Sequence, residues 1–199
     1  MVLTDIIERH GLPITVFTLD TGRLPAETYE LMQAARARYR TPIMVYAPER
    51  TAVENYVTAH GPNGFYSSVA LRQACCAIRK VEPLRRALNG KKAWITGQRR
   101  QQSPTRRDLP VREWDVENRL WKFNPLAEWT TDEVWAYARA NDVPTNALHD
   151  RGYASIGCAP CTRAITMGED IRAGRWWWED AETKECGLHP KPNHPSNVA

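Results

Sequence analysis

Short apolar runs and amphipathic stretches alternate along most of the chain. Ile14–Leu19 (ITVFTL) is apolar and rich in β-branched residues, and Asp20-Thr21-Gly22 closes it, the pattern of a buried strand and its turn. Pro25–Tyr39 has a helical period. Pro25 suits a first turn, and Tyr29, Met32, Ala35 and Tyr39 are spaced to share one face. Pro42–Ala47 (PIMVYA) predicts a second strand, and Thr51-x-x-Glu54 has the spacing of a capping box opening a helix that stops near Gly61. Ser68–Arg79 predicts a helix carrying Cys75 and Cys76, which Pro83 interrupts or restarts before Leu84–Leu88. Ala93–Gly97 (AWITG) and Arg119–Phe123 predict two more strands, and Thr130-x-x-Glu133 caps a helix reaching about Asn141. Gln98–Arg112 has five arginines, two prolines and neither period, so it predicts a loop. From Pro144 onward prolines and glycines make the chain irregular, and after Trp178 it reads as a mobile tail.

Strands alternating with helices predict an α/β fold with a parallel sheet. Ligands of such sheets sit beyond the carboxyl ends of the strands, where Asp20-Thr21-Gly22 and Gly97–Arg100 fall. The 199 residues suffice for one domain with its own core, expected over 1–178, followed by a tail over 179–199. No apolar run approaches the ~18–20 residues of a membrane span, and Met1–His10 carries two acids too early for a secretory signal. These features exclude secreted and membrane-spanning classes and lead to the expectation of a reducing, cytoplasmic compartment.

Charge refines this picture through its makeup. The net charge is only +4, yet of 27 basic residues just six are lysine. Arginine is the side chain suited to forked binding of phosphate and sulfate. Arg99, Arg100, Arg106 and Arg107 follow a strand end, and Arg172 and Arg175 precede Trp176-Trp177-Trp178. A solvated surface or a weak nucleic-acid patch is the plainer reading of the loop, but the modest net charge speaks against nucleic acid.

The five cysteines split into an adjacent pair (Cys75, Cys76), a C-x-x-C pair (Cys158, Cys161) and the lone Cys186. Two distant pairs in a reducing compartment point to a metal site, with zinc and an iron–sulfur cluster both open. Neighbouring helical residues point roughly 100° apart, which strains convergence on one ion and suits the separate corners of a 4Fe-4S cluster. Lys80, four residues after Cys76, shares its helical face if the helix persists, either as a solvated lysine or as a cation offsetting thiolate charge. Cys186, beside Lys184 and His189 on a proline-rich arm, is either an idle thiol or a mobile nucleophile.

The segments LDTGRLPAETY, CCAIRKVEPL, AWITGQRRQQSPTR, GCAPCTRAI, GRWWWED and ECGLH, in this order, resemble the bacterial assimilatory adenylylsulfate (APS) reductases of the phosphoadenosine phosphosulfate (PAPS) reductase family. The resemblance implies a three-layer adenine-nucleotide α-hydrolase-like (PP-loop) fold. It implies a 4Fe-4S cluster on Cys75, Cys76, Cys158 and Cys161, with Lys80 between cluster and substrate. Arg99, Arg100, Arg106, Arg172 and Arg175 become candidates for the phosphosulfate, with Asp20, Gly97 and His189 toward the nucleotide. Cys186 would attack the sulfate sulfur, expel AMP and carry an S-sulfonate until thioredoxin (or glutaredoxin) releases sulfite. A PAPS reductase and a catalytically dead zinc or iron–sulfur module are the alternatives, and a homo-oligomer is left open. In the family a first strand and a Gly/Ser-rich phosphate loop precede the segment matching Met1–Gly11, so that strand and loop are expected to be missing here.

Overall fold

The computed structural model describes residues 1–103, 106–180, 184, 187 and 188. Its elements run α1 (Val2–Arg9), β1 (Val16–Leu19), α2 (Ala26–Arg38), β2 (Ile43–Tyr46), α3 (Arg50–His60), α4 (Val69–Cys76), α5 (Glu82–Leu88), β3 (Ala93–Ile95), β4 (Arg112–Asp115), β5 (Leu120–Phe123) and α6 (Thr131–Ala140). β1 and β2 pair in parallel, joined through α2. The second sheet has the order β3-β5-β4, with β3 parallel and β4 antiparallel to β5. The α/β class with parallel pairing therefore stands, with one antiparallel edge. Leu84 and Leu88 of α5, Trp94 of β3 and Leu120 of β5 form a buried cluster that Phe17 and Leu19 of β1 join from the side.

Most predicted elements form where the apolar pattern puts them. The Thr130 hydroxyl accepts from the Glu133 amide while Glu133 reaches back to Thr130, so the box that starts α6 is complete. Three expectations are corrected, and one helix is found that the pattern did not predict. Thr51 caps nothing: α3 begins at Arg50 with Glu49 as its cap residue, and Thr51 lies inside the first turn. Val2–Arg9 is a helix, its buried Asp5 accepting from Tyr39 and Tyr137. On α2 only Ala35 is buried, and Tyr39 lies just past the end; Tyr29 is exposed and Met32 half-buried. Gln98–Arg112, predicted as loop, runs at its end into strand β4, where Glu113 turns inward to Lys122 at 2.8 Å.

Pro83 does not break the helix. α4 runs into α5 through a π turn over Ala77–Val81, placed just where a proline ring would meet the carbonyl four residues earlier. The widened turn keeps one continuous rod from Val69 to Leu88.

Candidate active site

That rod builds one wall of a small cavity. Arg72, Cys75, Cys76, Arg79 and Lys80 recur at i, i+3, i+4, i+7 and i+8, a stripe of about 100°. The adjacent cysteines diverge, as helical neighbours must, yet both fall within that stripe. Cys158, Pro160 and Cys161 form the opposite wall, and Arg23 and Phe65 close the rim. Cys76, Cys158 and Cys161 are buried with Phe65 and Trp176, and Cys75 packs against them half-buried.

The C-x-x-C turn is held by its own backbone and neighbours. A short 3-10 turn over Ala159–Cys161 follows Cys158, and the Thr162 hydroxyl donates to the Cys158 carbonyl at 2.9 Å. The Tyr66 hydroxyl donates to Pro160 O at 2.6 Å, and the Ala159 amide to Arg23 O at 2.8 Å. Gly157 leaves room for Arg175, whose guanidinium would have to shift if a Cβ stood there. The turn after β1 joins the same site. Gly22 has φ +68, a conformation favouring glycine, and its amide donates to the Asp20 carboxylate at 2.8 Å. Buried Thr21 then accepts from the Cys158 thiol at 3.2 Å and from the Arg79 guanidinium, through its carbonyl, at 2.7 Å.

Burial governs the thiols. It pushes Cys161 up to about 12, the neighbouring Cys158 sulfur adding to the effect while Lys80 opposes it. Cys75 is raised for the same reason, with Arg79 pulling the other way. A thiolate set in this cavity needs positive charge close by. Cations surround it: Arg72, Lys80 and Arg175 all lie against the ring of buried Trp176, at 5.0, 5.6 and 4.6 Å from its centroid. Trp176 has φ +42, a strained conformation for an aromatic residue. Among the described residues, no three His, Cys, Asp or Glu side chains group closely enough for a single metal ion.

The predicted phosphosulfate residues separate into distinct places. Arg99, Arg106 and Arg172 line a second, larger cleft of about 790 Å³, together with Gln102, Thr131 and Trp135. Among the described residues buried Arg99 Nε has no partner; its Nη2 donates to the Thr131 hydroxyl at 3.3 Å, and burial lowers its pKa. Arg106 donates to Gln102 Oε1 at 2.6 Å, and Arg172 to Lys184 O at 3.1 Å. Arg100 instead turns to Glu128 at 3.1 Å and to the Leu109 carbonyl at 3.0 Å. Arg175 is buried beside the cysteines, donating to Cys161 O at 3.2 Å. Lys80 lines the cysteine cavity, and Asp20 spends its carboxylate on Gly22 and the Tyr29 hydroxyl. Gly97 is exposed just past β3, where a Cβ would meet only Leu3. Cys186 and His189 lie outside the described residues.

Sequence reasoning missed Arg72, Arg79 and Glu179, and named Thr21 only as part of the turn after β1. The helical period running out from Cys75-Cys76 carries the signal for Arg72 and Arg79. Nothing local signals Glu179, which Arg72 holds by two bonds of 2.8 Å.

Residues 1–164 match the model of the phosphoadenosine phosphosulfate reductase domain. The chain belongs to the phosphoadenosine phosphosulfate reductase family. This family member is 61% identical to the adenosine 5′-phosphosulfate reductase of Allochromatium vinosum, over 98% of the chain and 78% of that protein. Its identity to the Burkholderia cepacia enzyme of the same name is 58%, over 95% and 76%. Among solved structures, the PAPS reductase of Candida auris in a phosphate complex superposes with a TM-score of 0.68 at 32% identity, covering 82% of this chain and 77% of that one. The reductase fold expected from the sequence is thereby shown. Among the described residues, no helix is long and apolar enough to cross a membrane.

Proposed function

We propose that this chain reduces adenosine 5′-phosphosulfate to sulfite and AMP, with Cys186 as nucleophile and thioredoxin as reductant. The observation that carries the reading is the pairing of two features in one family member: a cavity on which four thiols and four cations meet, and a separate arginine-lined cleft. Relatives named for this activity match nearly the whole chain, which favours APS over PAPS.

The chemistry follows from the groups present. The Cys186 thiolate attacks the sulfate sulfur; an S–S bond forms and the bond from sulfur to the bridging phosphate oxygen breaks. AMP leaves with that oxygen and its electron pair, and Arg99, Arg106 and Arg172 stabilise the developing phosphate charge with forked donors. A thioredoxin thiolate then attacks Cys186, sulfite departs, and the second thioredoxin thiol resolves the mixed disulfide. Two electrons pass from the dithiol to sulfur.

The donor set fits a 4Fe-4S group: four cysteines share one cavity without drawing together on a point, and the surrounding cations offset thiolate charge. Cys75, Cys76, Cys158 and Cys161 would hold it, and when bound it supplies a buried anionic centre that fixes both walls of the site. Anaerobically purified protein is expected to contain iron and acid-labile sulfide in equal amounts, with both lost in Cys161→Ser. Stoichiometric zinc without sulfide contradicts this assignment.

Steady-state sulfite and AMP release from APS, run against PAPS, tests the activity itself. Arg99→Ala should raise KM for APS by about 10–100-fold, the worth of a charged hydrogen bond taken away from solvent. Arg100→Ala should change it little, because its guanidinium serves an exposed pair with Glu128. Equal effects of the two substitutions, or faster turnover of PAPS, sink this reading.

A further inference from the structure

The loop that carries Arg99 and Arg106 leaves β3 and returns as β4, and in the sheet these strands flank β5 on opposite sides. The loop therefore has to cross the end of β5. Asn124 is the residue at that end, and it is completely buried.

Its side chain holds both roots of the loop. The Thr96 hydroxyl, one residue past β3, donates to Asn124 Oδ1 at 2.5 Å. Asn124 Nδ2 donates to the Pro110 carbonyl, two residues before β4, at 2.9 Å, and to Glu113 Oε1 at 3.2 Å. The backbone adds to this. The Asn124 amide donates to Val111 O at 2.7 Å, and the turn Asn124–Ala127 receives the Arg100 amide on the Ala127 carbonyl at 2.9 Å. Glu113 is in turn fixed by Lys122 at 2.8 Å. Only a carboxamide supplies this set, because Pro110 O and Glu113 accept and cannot donate.

We infer that Asn124 is the positioning residue of the arginine loop, clasping its entry at Thr96 to its exit at Pro110 so that Arg99 and Arg106 are presented together to the anionic substrate. This rests on the proposed reading of the cleft for its link to catalysis, but the clasp itself is a statement about the loop. Fixing both ends removes much of the loop's freedom before the ligand arrives, so the cost of ordering two arginines is not drawn from binding.

Limited tryptic digestion of the full chain reads the clasp without any turnover, since the loop's own arginines are cleavage sites. Asn124→Ala should speed cleavage at Arg99, Arg100, Arg106 and Arg107 by about tenfold, with other sites cut at the wild-type rate. Thr96→Val, which keeps the volume and deletes a single bond, should show a smaller rise at the same sites and carries the test if Asn124→Ala fails to fold. In sulfite assays both variants should lose kcat/KM chiefly through KM for APS, and Asn124→Asp should not rescue, because a carboxylate faces the Pro110 carbonyl and Glu113. Loop cleavage at the wild-type rate, or a rise spread uniformly over the chain, overturns the inference. Faster loop cleavage in a protein that never releases sulfite upholds the clasp and rejects the reductase reading instead.

Discussion

Glu179→Ala should lower the unfolding free energy by about 3–5 kcal/mol, a large share of the stability of a domain this size. Glu179 and Arg72 are 3% and 1% exposed, and the two bonds between them run in parallel at 2.8 Å. Burial disfavours the charge on Arg72, and Glu179 and Cys76 together more than restore it. Removing the carboxylate leaves a cation inside the protein with its desolvation cost unmet. The contact of Arg72 with the Trp176 ring, and with Cys76, returns part of this. The loss should therefore fall toward the lower end of that range, and it should shrink when Cys76 is ionised in a bound cluster. Denaturant unfolding at constant slope measures it. Arg72→Met combined with Glu179→Leu should recover most of the stability, because apolar replacements leave no orphaned charge. A double variant as unstable as the single one contradicts the account. The expectation that packing ends at Trp178 is corrected by the same pair, since Glu179 is locked against α4, and further on Lys184 O accepts from Arg172 and Leu188 packs against the Leu84–Trp94 cluster.

Cys186→Ser should reduce sulfite release by about three orders of magnitude or more while leaving APS affinity within a few-fold of wild type. Serine keeps the size of the side chain but not the thiolate, and its alkoxide is inaccessible at neutral pH. Arg99, Arg106 and Arg172, which bind the anion in this reading, are untouched by the change. Tryptophan fluorescence gives the affinity and single-turnover AMP release gives the rate. Turnover that survives in the serine variant removes Cys186 from the mechanism.

Much of this is legible in the sequence. ITVFTL, PIMVYA and AWITG each yield a strand, as short β-branched runs between turn residues favour, although β1 is only half-buried and Met44, Val45 and Ile95 stay exposed; Gly61 ends α3 with φ +74 as a glycine stop should. β4 was not legible: REWD carries three charges in four residues, and its inward members are buried only because Lys122 and Asn118 wait on the other side. The continuous helix through Pro83 was hidden because a π turn has no local sequence signal. In the site, cysteine spacing was informative because thiols are rarely paired twice without a shared partner. Arginine identity was not, since the same side chain lines the open cleft, makes a surface ion pair and stacks on an aromatic ring. Only the positions of Glu128 and Trp176 separate Arg100 and Arg175 from Arg99, Arg106 and Arg172.

Mass spectrometry of the peptide spanning residue 186, after incubation of iron-replete protein with APS and no reductant, addresses the central claim most directly. The account predicts one sulfonate on Cys186 for each AMP released, discharged as sulfite when reduced thioredoxin is added. AMP release with no adduct on that peptide, or a sulfonate on Cys75, Cys76, Cys158 or Cys161, would contradict it.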